Sequence, residues 1–172
     1  MKSLITIIAL FITTFVSAQT KLDSLVFVKV NEYRVSKGLN KVEFDTVSFL
    51  AADNQASYLF KNDSIVGHSQ KNTGFETPNK RYIYFGGNER SSIAEVCNAV
   101  NTNLKVNNDM YLDNLAKLIV DAWKSSFEHN KILINSKYKF AGVSTKSTIS
   151  STGVKNWTHY DIKSTMVFTA MK

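Results

Sequence analysis

Three histidines and one cysteine are the side chains in this 172-residue chain that could hold zinc through imidazole nitrogen or thiolate sulfur. His68 sits in Val66-Gly67-His68-Ser69, His129 follows Ser126-Phe127-Glu128, and His159 lies near the C-terminus. Zinc is held by imidazole, thiolate and carboxylate, often by two histidines one helical turn apart. No HxxxH or HExxH occurs, so a shared metal site has to be assembled from distant segments, and spacing alone establishes none. Nucleophilic catalysis has no firmer basis. Ser69 adjoins His68, but neighbours on an extended segment point to opposite faces and do not make a dyad. There is no GxSxG elbow, no Gly-rich phosphate loop and no paired-cysteine site. Cys97, the single cysteine, cannot form an intrachain bridge, and between Val96 and Ala99 it reads as a buried structural thiol.

The elements that must position these residues follow from periodicity. Leu22, Leu25, Val26, Val30 and Tyr33 recur at three- and four-residue steps, predicting a helix over 22–37 that Gly38 stops. A second helix is expected over 45–61 with Asp45 as N-cap, burying Phe49, Leu50, Ala52, Ala56, Leu59 and Phe60. Residues 62–92, with the single proline Pro78, read as a long loop region whose aromatics pack down. A short helix is expected from Ile93 to Val100, then a polar loop from Asn101 to Asp109. The clearest helix spans 110–126, with Leu112, Leu115, Ile119, Ala122 and Trp123 on one stripe. Phe140 to Thr145 reads as a short strand and 147–156 as a turn region. Tyr160, Ile162, Met166 and Phe168 alternate with polar residues, so the chain ends in a long half-buried strand that carries His159. Helices first and an antiparallel pair last indicate an α+β or layered domain.

The first 18 residues read as a removable secretory signal: Lys2, an apolar run from Leu4 to Val16, then Val16-Ser17-Ala18 with small residues for cleavage. The run is shorter than the roughly 20 apolar residues a spanning helix needs, and no later segment is long or apolar enough to span. Residues 19–172 then form one domain, secreted or periplasmic, and expected to be a monomer. Its formal charge, +7 for the whole chain, is spread over scattered lysines with no basic run, so nucleic acid is not an expected partner.

The order of these features resembles the CAP superfamily of cysteine-rich secretory, antigen 5 and pathogenesis-related proteins, in particular its bacterial SCP-like branch. Val30-Asn31-Glu32-Tyr33-Arg34 with Gly38-Leu39 is similar to the family's first-helix signature, and Val42, Asp45, Leu50, Ala51-Ala52 and Ala56 to its second helix. Gly67-His68-Ser69 resembles the family histidine segment, and Arg81 stands where a loop arginine is expected. Glu95 falls at the family's Glu-Asn pair. Trp123, Ser126 and His129 with Ile132-Leu133 resemble a Trp-x-x-Ser-Pro-Gly-His signature, and Phe140-Ala141-Gly142-Val143 the strand that follows. Three positions depart from the pattern: Val96 replaces the Asn, Ser126 stands where animal and plant members have a second glutamate, and Phe127-Glu128 replaces Pro-Gly.

The resemblance implies a three-layer α-β-α sandwich with a surface cleft, His68 and His129 facing each other across it and Glu95 close by. Ser69, Arg81 and Glu128 are further cleft candidates, Glu128 as a replacement carboxylate. His68 and His129 are the implied ligands for zinc or another divalent cation. Two neutral imidazoles make a weak, open site, and without metal a carboxylate beside a histidine favours the imidazolium. The expected function is a non-enzymatic binding module for a lipid-like (small hydrophobic), peptide or cell-wall-derived ligand. The alternatives are a metal-dependent hydrolase or peptidase with Glu95 as base, and a surface interaction module.

Overall fold

In the computed structural model, which describes residues 19–62, 66–106 and 110–172, helix α1 (Lys21–Ser36) starts with a reciprocal cap. The Thr20 hydroxyl accepts from the Asp23 N–H at 3.1 Å, while the Thr20 N–H donates to the Asp23 carboxylate at 2.8 Å. The other Asp23 oxygen accepts from the N–H and hydroxyl of Thr145, both at 2.7 Å, tying the helix start to the sheet. The helix ends before Gly38, whose φ of 73° is a left-handed conformation that glycine adopts without steric cost. The signal expected in residues 1–18 lies outside the described residues.

Helix α2 (Thr46–Lys61) begins at Asp45, whose carboxylate accepts from the N–H and the hydroxyl of Ser48. Then come α3 (Pro78–Tyr84), β2 (Ile93–Lys105), α4 (Met110–Ser125), α5 (Phe127–Leu133), β3 (Phe140–Ser151) and β4 (Trp157–Thr169), with the two-residue β1 (Glu43–Phe44) before α2. The sheet order is β1-β3-β4-β2. β1 runs parallel to β3, and the two long pairings β3–β4 and β4–β2 are antiparallel. β4, last in sequence, is therefore central, and β2 is an edge.

The sheet is covered on both sides, giving three layers. Toward α1 and α4, Val26 and Val30 meet Leu115, Ile119 and Trp123 over Val96, Val143, Ile162, Met166 and Phe168. Each fully buried large aliphatic side chain here is worth about 1.5–3 kcal/mol relative to exposure. Toward α2 and α3, Ala51 and Ala52 meet Tyr82 and Val167. The small residues of α2 let it come close: a Cβ on Gly142 of β3 would lie 2.1 Å from the Phe49 backbone N.

Four expectations need correction. Residues 93–100 are strand, not helix, and the strand continues to Lys105 where a loop was expected. Val96, Val100 and Leu104 sit four apart, a spacing close to one helical turn but also a multiple of the strand's period of two. All three join the α1/α4 core. The long region 62–92 contains α3, announced by Thr77 as N-cap and Pro78 in the first turn. β3 continues to Ser151, so only its end lies in the expected turn. β4 is not half-buried: Lys163, Thr165 and Thr169 on its polar face are also out of solvent, because the strand is central and that face lies under α2.

Candidate functional site

Glu95 and Cys97 are two apart on β2, so both point to the same face of the sheet, away from α4. They stand opposite Val167 and Thr165 of β4. Above them runs the segment after α2. Gln55 of α2 donates to the Gly67 carbonyl at 2.6 Å, and Gln70 donates to Asn54 and Gln55. These bonds fix the chain on either side of His68.

Arg81 of α3 is the keystone of this corner. Its side chain is fully buried, and it donates to the Phe75 carbonyl at 2.8 Å, the His68 carbonyl at 3.2 Å and Glu95 Oε2 at 2.7 Å. The guanidinium therefore neutralises the buried carboxylate and holds the backbone of the histidine segment. Glu95 Oε1, on the other side of the carboxylate, lies 3.0 Å from His68 Nδ1. The His68 side chain is 48% exposed and that of Glu95 is 1% exposed, so the imidazole is the solvent-facing end of the pair.

His129 arrives from the other layer. Ser126 caps α5 by accepting from the His129 N–H. Tyr33 donates from its hydroxyl to Asn130 at 2.8 Å. Arg34, also buried, donates to the carbonyls of Asn40, Leu133, Asn135 and Tyr138. These contacts seat α5 against the edge strand β2, and the His129 ring meets the His68 ring at 6.2 Å between centroids and 78° between planes. Burial, and then the neighbouring His68, lower the pKa of His129 below its ordinary value of 6.5.

The structure thus brings together His68, Arg81, Glu95 and His129. Ser69 is exposed, without a place in this hydrogen-bonded group. Glu128 points outward, 75% exposed, and pairs with Lys131 at 3.4 Å. His159 is remote and bonds Asn103 across the β2–β4 ladder. Two surface grooves of about 330 and 290 Å³ lie elsewhere, the first between α1 and α4 and the second between α2 and the 70–75 segment. Neither is lined by His68, Glu95 or His129.

Sequence reasoning missed one member of the corner. Cys97 Sγ lies 3.5 Å from Glu95 Oε1, 3.7 Å from His68 Nδ1 and 3.5 Å from Thr165 Oγ1. Reading 93–100 as a helix hid it, since residues two apart on a helix do not share a face. Burial, and then the charge of Glu95, push the Cys97 thiol well above its ordinary pKa, so it is protonated at neutral pH. The roles of Arg34 and Tyr33 in seating α5 were missed too, because both partners lie about a hundred residues downstream.

A family model described as CAP, the cysteine-rich secretory protein family, matches residues 27–159. Among solved structures, the chain is similar to an outer surface protein of Borrelia burgdorferi, with 22% identity and a TM-score of 0.59 over 90% of this chain and 97% of that one. It is also similar to an extracellular protein containing an SCP domain from Bacillus anthracis, with 17% identity and a TM-score of 0.60 over 86% of this chain and 39% of the other. A cysteine-rich secretory protein of Staphylococcus aureus aligns over 90% of this chain and 40% of its own, with 14% identity and a TM-score of 0.50. At these identities the likeness is one of fold. No curated protein sequence matches the chain significantly.

Proposed function

Because this chain belongs to the cysteine-rich secretory protein (CAP) family, we propose that it is an exported binding module. In this reading the corner formed by His68, Glu95 and His129 holds a divalent cation and, around it, a lipid-like, peptide or wall-derived ligand. The observation that carries the reading is the full engagement of Glu95. One oxygen faces Arg81 at 2.7 Å and the other faces His68 at 3.0 Å, and the carboxylate is out of solvent. A carboxylate so held orients an imidazole; it has no free oxygen turned toward a water as a hydrolase base requires.

The donors fit a cation. Two imidazoles on one tetrahedral zinc, with nitrogens about 2.0–2.1 Å from it, have ring centres about 5 Å apart, so from the observed 6.2 Å the solvent-facing His68 ring closes by about 1 Å toward His129 to share an ion. His68 held through Nδ1 leaves Nε2 for the metal, a common arrangement of carboxylate, histidine and ion. The bound ion would supply a positive centre for an anionic group of the ligand. Export is the expected route to external ligands, and two structural neighbours are an outer surface protein and an extracellular protein.

The test is thermal unfolding of chelator-treated protein with and without zinc. At zinc a hundredfold above Kd, linkage predicts a rise in Tm of about 5–10 °C. His68→Ala should abolish most of that rise, and His129→Ala should reduce it by the share that the outer pair of imidazoles supplies. No rise in the unaltered protein overturns the cation part of the reading. Peptidoglycan fragments or lipid captured equally by the His68→Ala/His129→Ala double variant would place the ligand elsewhere.

A further inference from the structure

We propose that Cys97, His68 and Glu95 form a second, inner site for a thiophilic divalent cation of the zinc class, ligated by Cys97 Sγ, His68 Nδ1 and Glu95 Oε1. This goes beyond the outer pair of imidazoles and does not need His129. The three donor atoms form a closed triangle with edges of 3.7 Å (S to N), 3.5 Å (S to O) and 3.0 Å (N to O). A point about 2.0 Å from all three lies at the centre of that triangle. With zinc bonds of about 2.3 Å to sulfur and about 2.0–2.2 Å to nitrogen and oxygen, the ion sits slightly out of that plane. The angles at the metal are then about 115° for S–M–N, about 107° for S–M–O and about 95° for N–M–O, near the tetrahedral set zinc adopts. A fourth position remains for solvent.

Three further features favour the site. The Arg81 guanidinium bonds the opposite oxygen, Oε2, so Oε1 can ligate without breaking that ion pair. Glu95 and Cys97 are both buried on one rigid strand, so two of the three ligands are already fixed in place. A sulfur, nitrogen and oxygen donor set suits zinc better than magnesium or calcium, which prefer oxygen alone. Binding releases one proton: the thiol proton leaves to solvent as the metal–sulfur bond forms, while the proton that His68 Nδ1 directs at Glu95 passes to Nε2. The inner site and the outer pair of imidazoles are therefore alternative, not simultaneous, uses of His68. The exchange adds one net positive charge to the corner, where a cation held by two imidazoles alone adds two. The exposed His68 ring is the entry side.

The experiment is titration of reduced, chelator-treated protein with Co(II), followed by absorption. The inner site predicts a sulfur-to-cobalt charge-transfer band in the near ultraviolet with the visible bands of four-coordinate cobalt. The band should persist in His129→Ala and vanish in Cys97→Ser, with zinc affinity falling about tenfold or more. Cd(II) added to the unaltered protein should give a cadmium–thiolate band, a readout that needs no variant to fold. Cobalt binding without any thiolate band, lost in His129→Ala, overturns the inner site and leaves the outer reading standing. No binding of cobalt, zinc or cadmium overturns both.

Discussion

Arg81 Nη2 and Glu95 Oε2 lie 2.7 Å apart with both side chains out of solvent, so the corner is built on a buried ion pair. Such a pair contributes little net stability when intact, because desolvation offsets attraction. Removing one partner leaves an uncompensated charge and costs about 3–5 kcal/mol.

Arg81→Met is therefore expected to lower the urea unfolding free energy by about 3–5 kcal/mol. Adding Glu95→Gln should recover a large part of that loss, since the stranded charge is gone. Losses that simply add in the double variant would show that the pair is not coupled.

Arg34 links α1 to the end of α5 and the segment after it through the carbonyls of Leu133, Asn135 and Tyr138, and bonds the Asn40 carbonyl in the loop that follows α1. Arg34→Met is expected to destabilise the protein by about 3 kcal/mol or more and to weaken zinc binding, since His129 rides on α5. Hydrogen exchange should show selective loss of protection over 127–135. Uniform loss across the whole domain would mean that Arg34 does not seat α5 in particular.

His129 is expected to titrate below 6.5 in an NMR pH series, because burial and then His68 disfavour its charged form. Between its folded pKa and the ordinary value, the unfolded chain binds more protons than the folded one. Stability therefore rises with pH across that window and falls as the medium is acidified through it. His68→Gln should move the His129 value part of the way back up, leaving the shift caused by burial. An unchanged value would remove His68 as a cause.

The three long helices α1, α2 and α4 were legible because their signals are local: Asp45 before α2, Gly38 after α1, and the stripe of Leu115, Ile119 and Trp123 on α4; the seven-residue α3 and α5 are too short to show a stripe. Strand β2 was not legible, since its apolar residues recur every four positions and its polar ones, Asn98, Asn101 and Asn103, are poor strand formers. Only pairing with β4 along its whole length makes it a strand. His68, Arg81, Glu95 and His129 were legible from the family pattern, which carries their order. Cys97 was not, because the thiol enters the corner only through the two-residue repeat of a strand. Nor was the outward turn of Glu128, which follows from its position on the exposed side of α5.

The central strand is the last to be made. Val167 and Thr165, which lie beside Glu95 and Cys97, belong to the final eight residues of the chain. Synthesis runs from the N-terminus, so His68, Arg81, Glu95 and His129 all exist before there is a strand to join β3 to β2. A cation met by a nascent chain that still lacks β4 finds no assembled corner. Strand β4 thus acts as the closing step in assembling the site.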